Sequence, residues 1–309
     1  MKRILILVLG LFLLTAACSS KTNSKVTNPG ASAAASAPVV NIGSANFTES
    51  QILAEIYAQG LQAKGFKVTK KLNIGAREVY FPALENGQIN FFPEYIGSSL
   101  NYLTKQQDAA KPDATQTYNA LQTQLKGHKL VALTMASAAD QDGVVVNQQT
   151  ENAYHLTKVS DLKPVASKLV FGGPPECPTR IACLKGLEDV YGIHFKDFKS
   201  LDAGGPLTIA ALQSNGIQVG DVFTTDARIV ADHFTVLTQD NPIVGAENVV
   251  PIVSDALATG GGASFKSAVD AITAKLTTSG LTDLNKKVDI DKQDPSAVAK
   301  AWLQSNGLM

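Results

Sequence analysis

Residues 39–93 read VVNIGSANFTESQILAEIYAQGLQAKGFKVTKKLNIGAREVYFPALENGQINFFP, and the hydrophobic rhythm changes period repeatedly along them. Val39, Val40 and Ile42 form a short apolar run that stops at Gly43 and Ser44. Thr48, with Gln51 three residues on, fits a capping box that opens a helix. Ile52, Leu53, Ile56, Tyr57 and Leu61 recur at helical spacing until Gly65. Phe66, Val68, Leu72 and Ile74 fall on alternate positions, with Lys70 the exception, which predicts a strand. A second helix is expected over residues 78–86, stopped by Gly87. Ile89, Phe91 and Phe92 predict the next strand, ended by Pro93, which has no N–H to give a ladder. This β-α-β-α-β order predicts an α/β layer with largely parallel strands.

The same rhythm runs on. Helices are expected over residues 115–126 and 206–215, and strands over 130–133, 144–146, 168–171, 217–223 and 249–253. Thr224 and Thr225 read as caps of a further helix. Helical segments over 264–278, 282–287 and 296–305 close the chain. Two stretches, 138–147 around Gly143 and 240–248 with Pro242 and Gly245, read as crossings between two lobes. The expected division is lobe I over 39–142, lobe II over 143–242, and a return to lobe I over 243–309. A cleft between such lobes suits a small ligand.

Upstream of the folded part, Lys2 and Arg3 precede an apolar stretch over residues 4–14, broken only by Gly10. That is too short for a bilayer, which needs roughly 20 residues, and reads as a signal segment over 1–17. Thr15-Ala16-Ala17-Cys18 resembles a bacterial lipobox, with Leu14 one place earlier than usual. The resemblance implies that Cys18 is lipidated and anchors the exported chain to the outer face of the cell membrane; the alternative is a plain secretory signal with an incidental cysteine. Residues 18–38 are mostly Ser, Ala, Asn, Thr, Lys, Pro and Gly and read as a flexible tether.

Equal numbers of basic and acidic residues, 27 each, leave no basic field for a nucleic acid. With Cys18 set aside, Cys177 and Cys183 remain of the three cysteines. Export makes their disulfide the expectation, and their spacing does not suit zinc. His128, His155, His194 and His233 are isolated, and the glycine pairs lack a following Lys-Ser/Thr, so no catalytic residue, metal site or cofactor is expected.

Several stretches, in order, resemble the substrate-binding proteins of ABC importers for glycine betaine, choline and related osmoprotectants. They are Ile42-Gly43-Ser44-Ala45-Asn46-Phe47-Thr48-Glu49, Leu72-Asn73-Ile74-Gly75, Pro82-Ala83-Leu84 and Phe92-Pro93-Glu94-Tyr95-Ile96-Gly97. Residues 157–162, Leu187-Glu188-Asp189-Val190-Tyr191-Gly192 and Val222-Phe223-Thr224-Thr225-Asp226 follow. The resemblance implies a two-lobed periplasmic-binding-protein fold of type II, with two α/β lobes, a ligand cleft and a hinge. It implies a monomeric solute-binding lipoprotein that captures glycine betaine or a related quaternary amine and delivers it to the permease subunits of an ABC importer. The alternative is an exported binding module or enzyme on the same scaffold, acting on a different ligand.

The family holds the ammonium head in a cage of aromatic rings, where cation–π attraction replaces the hydrogen bonds that a methylated nitrogen cannot donate. Carried over, Tyr95 after Pro93-Glu94 and Phe223 before Thr224-Thr225-Asp226 are the expected cage rings, and Arg180 the expected receptor of a ligand carboxylate. Asn46 and Phe47 lie in the first strand-to-helix loop facing the cleft, and Thr225 is a further candidate contact. The tyrosines that the family places near Gly143 and Leu201 have no counterpart here.

Overall fold

The computed structural model describes residues 38–105 and 109–309. The signal segment, Cys18 and all of the tether but Pro38 lie outside the described residues. Among the described residues, no helix is long and apolar enough to cross a membrane.

The first part alternates as its periodicity predicts: β1 (Val40–Gly43), α1 (Thr48–Ala63), β2 (Val68–Lys71), α2 (Arg77–Glu85) and β3 (Phe91–Tyr95), then α3 (Ile96–Thr104), α4 (Ala114–Leu125) and β4 (Leu130–Ala132). The next stretch holds β5 (Asp142–Val146), α5 (Gln148–Tyr154), β6 (Val170–Gly173), α6 (Leu184–Asp189) and β7 (Asp197–Ser200). It continues through α7 (Pro206–Gln213), β8 (Val219–Phe223), α8 (Arg228–Ala231) and β9 (Thr235–Val236). β10 (Val249–Ser254), α9 (Asp255–Thr273), α10 (Thr278–Asp289) and α11 (Pro295–Ser305) finish the chain.

The strands form two five-stranded sheets, ordered β2-β1-β3-β10-β4 and β7-β6-β8-β5-β9. These are the two lobes of a periplasmic-binding-protein fold. Neither sheet is largely parallel, as the sequence rhythm suggested; both are mixed. β1 pairs in parallel with β2 and β3, and β6 with β7 and β8. The fourth strand of each order, β10 in one and β5 in the other, runs antiparallel to both neighbours. Each of these strands arrives directly from the other sheet, along residues 133–141 and 237–248. The two linking segments are themselves hydrogen-bonded: Asp140 N–H donates to Glu247 O at 3.1 Å, and Val249 N–H to Ala138 O at 2.9 Å.

Pro93 does not end β3. It faces Pro251 across the β3–β10 ladder. The Pro251 carbonyl accepts from Leu133 N–H on the far side. Opposed residues in an antiparallel pair alternate between bonded and unbonded sites, and at an unbonded one neither proline is asked for a donor across this ladder; on the far side the Leu133 carbonyl accepts instead from the Tyr118 hydroxyl at 2.8 Å.

The capping box at Thr48 is also absent. Phe47 is the N-cap and makes no side-chain cap bond. The Thr48 hydroxyl donates to Asp289 at 2.7 Å, while Ala45 N–H donates to Ser50 Oγ at 2.8 Å. Tertiary partners have taken the side chains that a local cap would use.

The apolar face of α1 packs on the first sheet beside α9, α10 and α11, around fully buried Tyr57, Phe91 and Phe265. α2, α3 and α4 cover the other face around Phe81, Phe92 and Ile252. Close approach is built in at Gly60, where a Cβ would lie 2.6 Å from Ile272 Cδ1. The second sheet has its own cores around Phe171 and Leu187 on one side and Leu212 and Ile217 on the other.

Candidate functional site

The loop between β1 and α1 brings Asn46 and Phe47 into two adjoining cavities lined by both sheets. The Phe47 ring lies 4.9 Å from that of Phe223, the last residue of β8, and 6.3 Å from that of Tyr95, the last residue of β3. Ring contact therefore spans the two lobes. Gly204 has φ +60°, and a Cβ there would lie 3.1 Å from the Phe223 ring. Glycine alone gives that backbone without strain and leaves the ring its place.

All six residues expected to bind ligand meet here. Asn46, Phe47, Phe223 and Thr225 line the first cavity; Asn46, Phe47, Tyr95, Arg180 and Phe223 line the second. The second cavity gains a ring that the sequence reading missed. Tyr80 of α2 stacks on Phe92 at 3.9 Å and donates its hydroxyl to Glu94 at 2.6 Å. Its spacing from Arg77, three residues along one helix face, was the available signal, since both side chains reach the same carboxylate.

A buried polar network joins the lobes beneath the rings. Glu49 accepts from the Tyr95 hydroxyl at 2.6 Å, the Thr225 hydroxyl at 2.7 Å and Asn285 Nδ2 at 2.7 Å. Thr225 therefore does not cap a helix. The next helix, α8, begins three residues later and has no side-chain cap. The Thr225 hydroxyl is committed to a carboxylate on the other lobe instead. Its N–H and the Thr224 hydroxyl both donate to Asp140, at 3.0 and 3.1 Å.

The guanidinium groups of the cleft are all engaged. Arg77 holds Glu94 with two nitrogens, at 2.8 and 3.1 Å. Arg228 is bound by Asp226 and donates to Gly204 O at 3.0 Å. Arg180, expected to receive a ligand carboxylate, reaches across the cleft to Glu78 at 3.0 Å and lies 3.5 Å from Glu176. It stands in the loop closed by the Cys177–Cys183 disulfide, which the structure contains.

Burial raises the Glu49 carboxyl above its ordinary range against its three donors. It raises Asp140 well above, with Glu49 adding repulsion. Asp142 is raised by burial although Arg180 and Arg77 oppose it, and Glu247 is pushed up by burial to about 8. Asp140, Asp142 and Glu247 line the cavity that holds Tyr80 and Tyr95. Asp140 and Glu247 come from the segments linking the two sheets, and Asp142 opens β5. In the sequence those segments read only as crossings, and the two acids just before Gly143 were the one visible sign.

Residues 38–305 match the family described as the substrate-binding domain of ABC-type glycine betaine transport systems. The chain is 29% identical to a glycine-betaine-binding protein of Pseudomonas aeruginosa over 289 residues, 89% of this chain and 90% of that one. It is 25% identical to the glycine betaine-binding protein YehZ of Escherichia coli, over 87% and 90% of the two chains. A solved structure described as a glycine betaine/carnitine/choline ABC transporter superposes with a TM-score of 0.69 at 24% identity, over 87% of this chain and 99% of that one.

Proposed function

The chain belongs to the substrate-binding domain family of ABC-type glycine betaine transport systems, and from that premise we propose that its cleft captures a quaternary ammonium solute, glycine betaine or a relative of it, for delivery to a membrane permease. Members of this family are extracytoplasmic binding proteins of importers and not enzymes. The observation that carries the ligand reading is the convergence of Phe47, Tyr80, Tyr95 and Phe223, drawn from both lobes, on one cavity lined by carboxylates. Ring faces and anions attract a methylated ammonium, and neither needs it to donate a hydrogen bond.

In this reading Tyr95, Tyr80 and Phe47 stand on lobe I and Phe223 on lobe II, with lobe boundaries near residues 142 and 242. Asn46 borders the ligand. Thr225 supports it through Glu49, and Arg180 helps close the lobes. Cys18 carries the lipid that keeps the monomeric protein beside its permease. Thermal melts with glycine betaine, choline, carnitine and proline betaine test the ligand class. At least one raises the melting temperature progressively with concentration, because it binds only the folded state. A flat response to all four overturns the quaternary ammonium reading and leaves the family standing.

A further inference from the structure

Charge in the cleft is not balanced. Arg77 and Arg180, the cations lining the ring-bearing cavity, already hold Glu94 and Glu78. Arg180 has Glu176 beside it as well. Asp140, Asp142 and Glu247 line the same cavity, and none of them is in an ion pair among the described residues. Among the described residues, Asp140 accepts from Thr224 and Thr225 alone, and Glu247 from Ser98 N–H and hydroxyl alone. No hydrogen bond from a described residue reaches the Asp142 carboxylate. It faces Arg77 of α2, Arg180 and Glu176 of the disulfide loop, and Asp221 of β8, at longer range.

We infer that this cleft selects a ligand of net positive charge, a quaternary ammonium without a carboxylate, and that Asp142 is a residue that enforces the choice. The inference rests on the quaternary ammonium reading above and narrows it. Asp140 and Glu247 are buried and Asp142 is half-buried, and without a counter-ion such acids are pushed toward the protonated form. An entering cation beside them favours their ionised form, and the four rings supply its methyl contacts. A ligand carboxylate finds no unclaimed guanidinium. To reach Arg180 it must displace Glu78 or lie beside Asp142, and like charges brought together in a desolvated site repel strongly. Selectivity thus comes from repelling the zwitterion as much as from attracting the cation. The same arrangement gives Arg180 a different part from the one its sequence position suggests, that of a tie between the lobes.

Calorimetric titration of the whole mature protein with choline, glycine betaine and 3,3-dimethylbutan-1-ol, the uncharged isostere of choline, tests this. Choline binds at least tenfold more tightly than glycine betaine, and the neutral isostere at least tenfold more weakly than choline. Asp142→Asn keeps the shape of the side chain and removes its charge. It weakens choline about tenfold and narrows the gap between choline and glycine betaine. Glycine betaine binding as tightly as choline, or the isostere matching choline, overturns the inference while quaternary ammonium binding survives. Absence of binding by both ammonium compounds overturns both readings. If Asp142→Asn does not fold, the three wild-type titrations still decide.

Discussion

Phe91 in the first sheet is fully buried and packs 5.2 Å from Tyr57 and 6.3 Å from Phe265, both fully buried too. Phe171 in the second sheet is equally buried, but its ring partners, Phe195 at 5.0 Å and Phe198 at 6.4 Å, are only partly covered. The contrast extends to the surroundings. The first sheet lies among long helices, α1 and α9 to α11, that hold one another apart and in place. The second is covered by shorter helices, by tight turns and by a loop stapled with a disulfide. Two sheets of one strand order thus reach stability differently, one through a deep apolar core and the other through a shallower core with covalent help. The lobe with the deep core carries Tyr95, Tyr80 and Glu49 of the site, Tyr80 from the opposite face of its sheet; the stapled lobe carries Phe223 and Arg180.

The sharpest way to break this contrast is to empty both cores. Phe91→Ala lowers unfolding stability by about 3–5 kcal/mol, because its neighbours are fixed and the cavity stays open. Phe171→Ala lowers it by about 1–2 kcal/mol less, because Phe195 and Phe198 can settle inward. Urea melts of both variants read the difference, and equal losses would erase the distinction drawn between the sheets. Next in size is the staple. Replacing Cys177 and Cys183 by Ser costs about 2 kcal/mol, the loop-entropy scale for so short a closure. Ligand affinity falls with it, since Arg180 and its bond to Glu78 lose their anchor. Affinity unchanged in the Ser variant would detach the staple from the site.

A third test concerns Glu247, between the lobes. Its carboxyl is pushed up to about 8 by burial, from an ordinary 4.5 in the unfolded chain. Over that window the folded protein holds a proton that the unfolded one has released. Its contribution therefore makes stability fall as pH rises from about 4.5 to about 8. Glu247→Gln removes that slope and leaves the protein about 3–4 kcal/mol more stable relative to the parent at pH 8 than at pH 5. Denaturant melts across this range check it, and parallel curves would refute the assignment. The smallest effect belongs to Glu78→Gln. The pair with Arg180 is partly exposed, so stability changes by less than about 1 kcal/mol and the change shrinks with salt. The released guanidinium raises affinity for glycine betaine relative to choline, read by paired titrations.

The sequence carried the local structure well where one period held for long enough. α1 was legible from Ile52 to Leu61 because burial on one face writes itself at helical spacing. The antiparallel strands β10 and β5 were recognisable as strands but not as neighbours, since their partners lie far along the chain and no local pattern encodes them. In the site the split is similar. Tyr95, Phe223 and Arg180, named through motif order, do line one cavity. Asn285, Asp140, Asp142 and Glu247 were not, because a polar side chain facing the cleft looks like any solvated one until its surroundings are known. The Thr48 and Thr225 hydroxyls were assigned to caps for the same reason: the partners they bond, Asp289 and Glu49, are distant in sequence.

The hydrogen bonds that tie Asp140 to Glu247 and Ala138 to Val249 make the two linking segments a ribbon. Sliding one strand of a ribbon past the other breaks its bonds together, whereas bending it across its flat face breaks none. The lobes therefore swing like jaws about one axis and are steered away from free tumbling. Asp140 and Glu247 ride on the pivot itself, where a given swing displaces atoms least. Their surroundings are nearly the same with the jaws wide as with them shut, and in both burial favours the protonated acids. Acids on the axle are therefore the part of the cleft whose protonation depends least on whether the jaws are open.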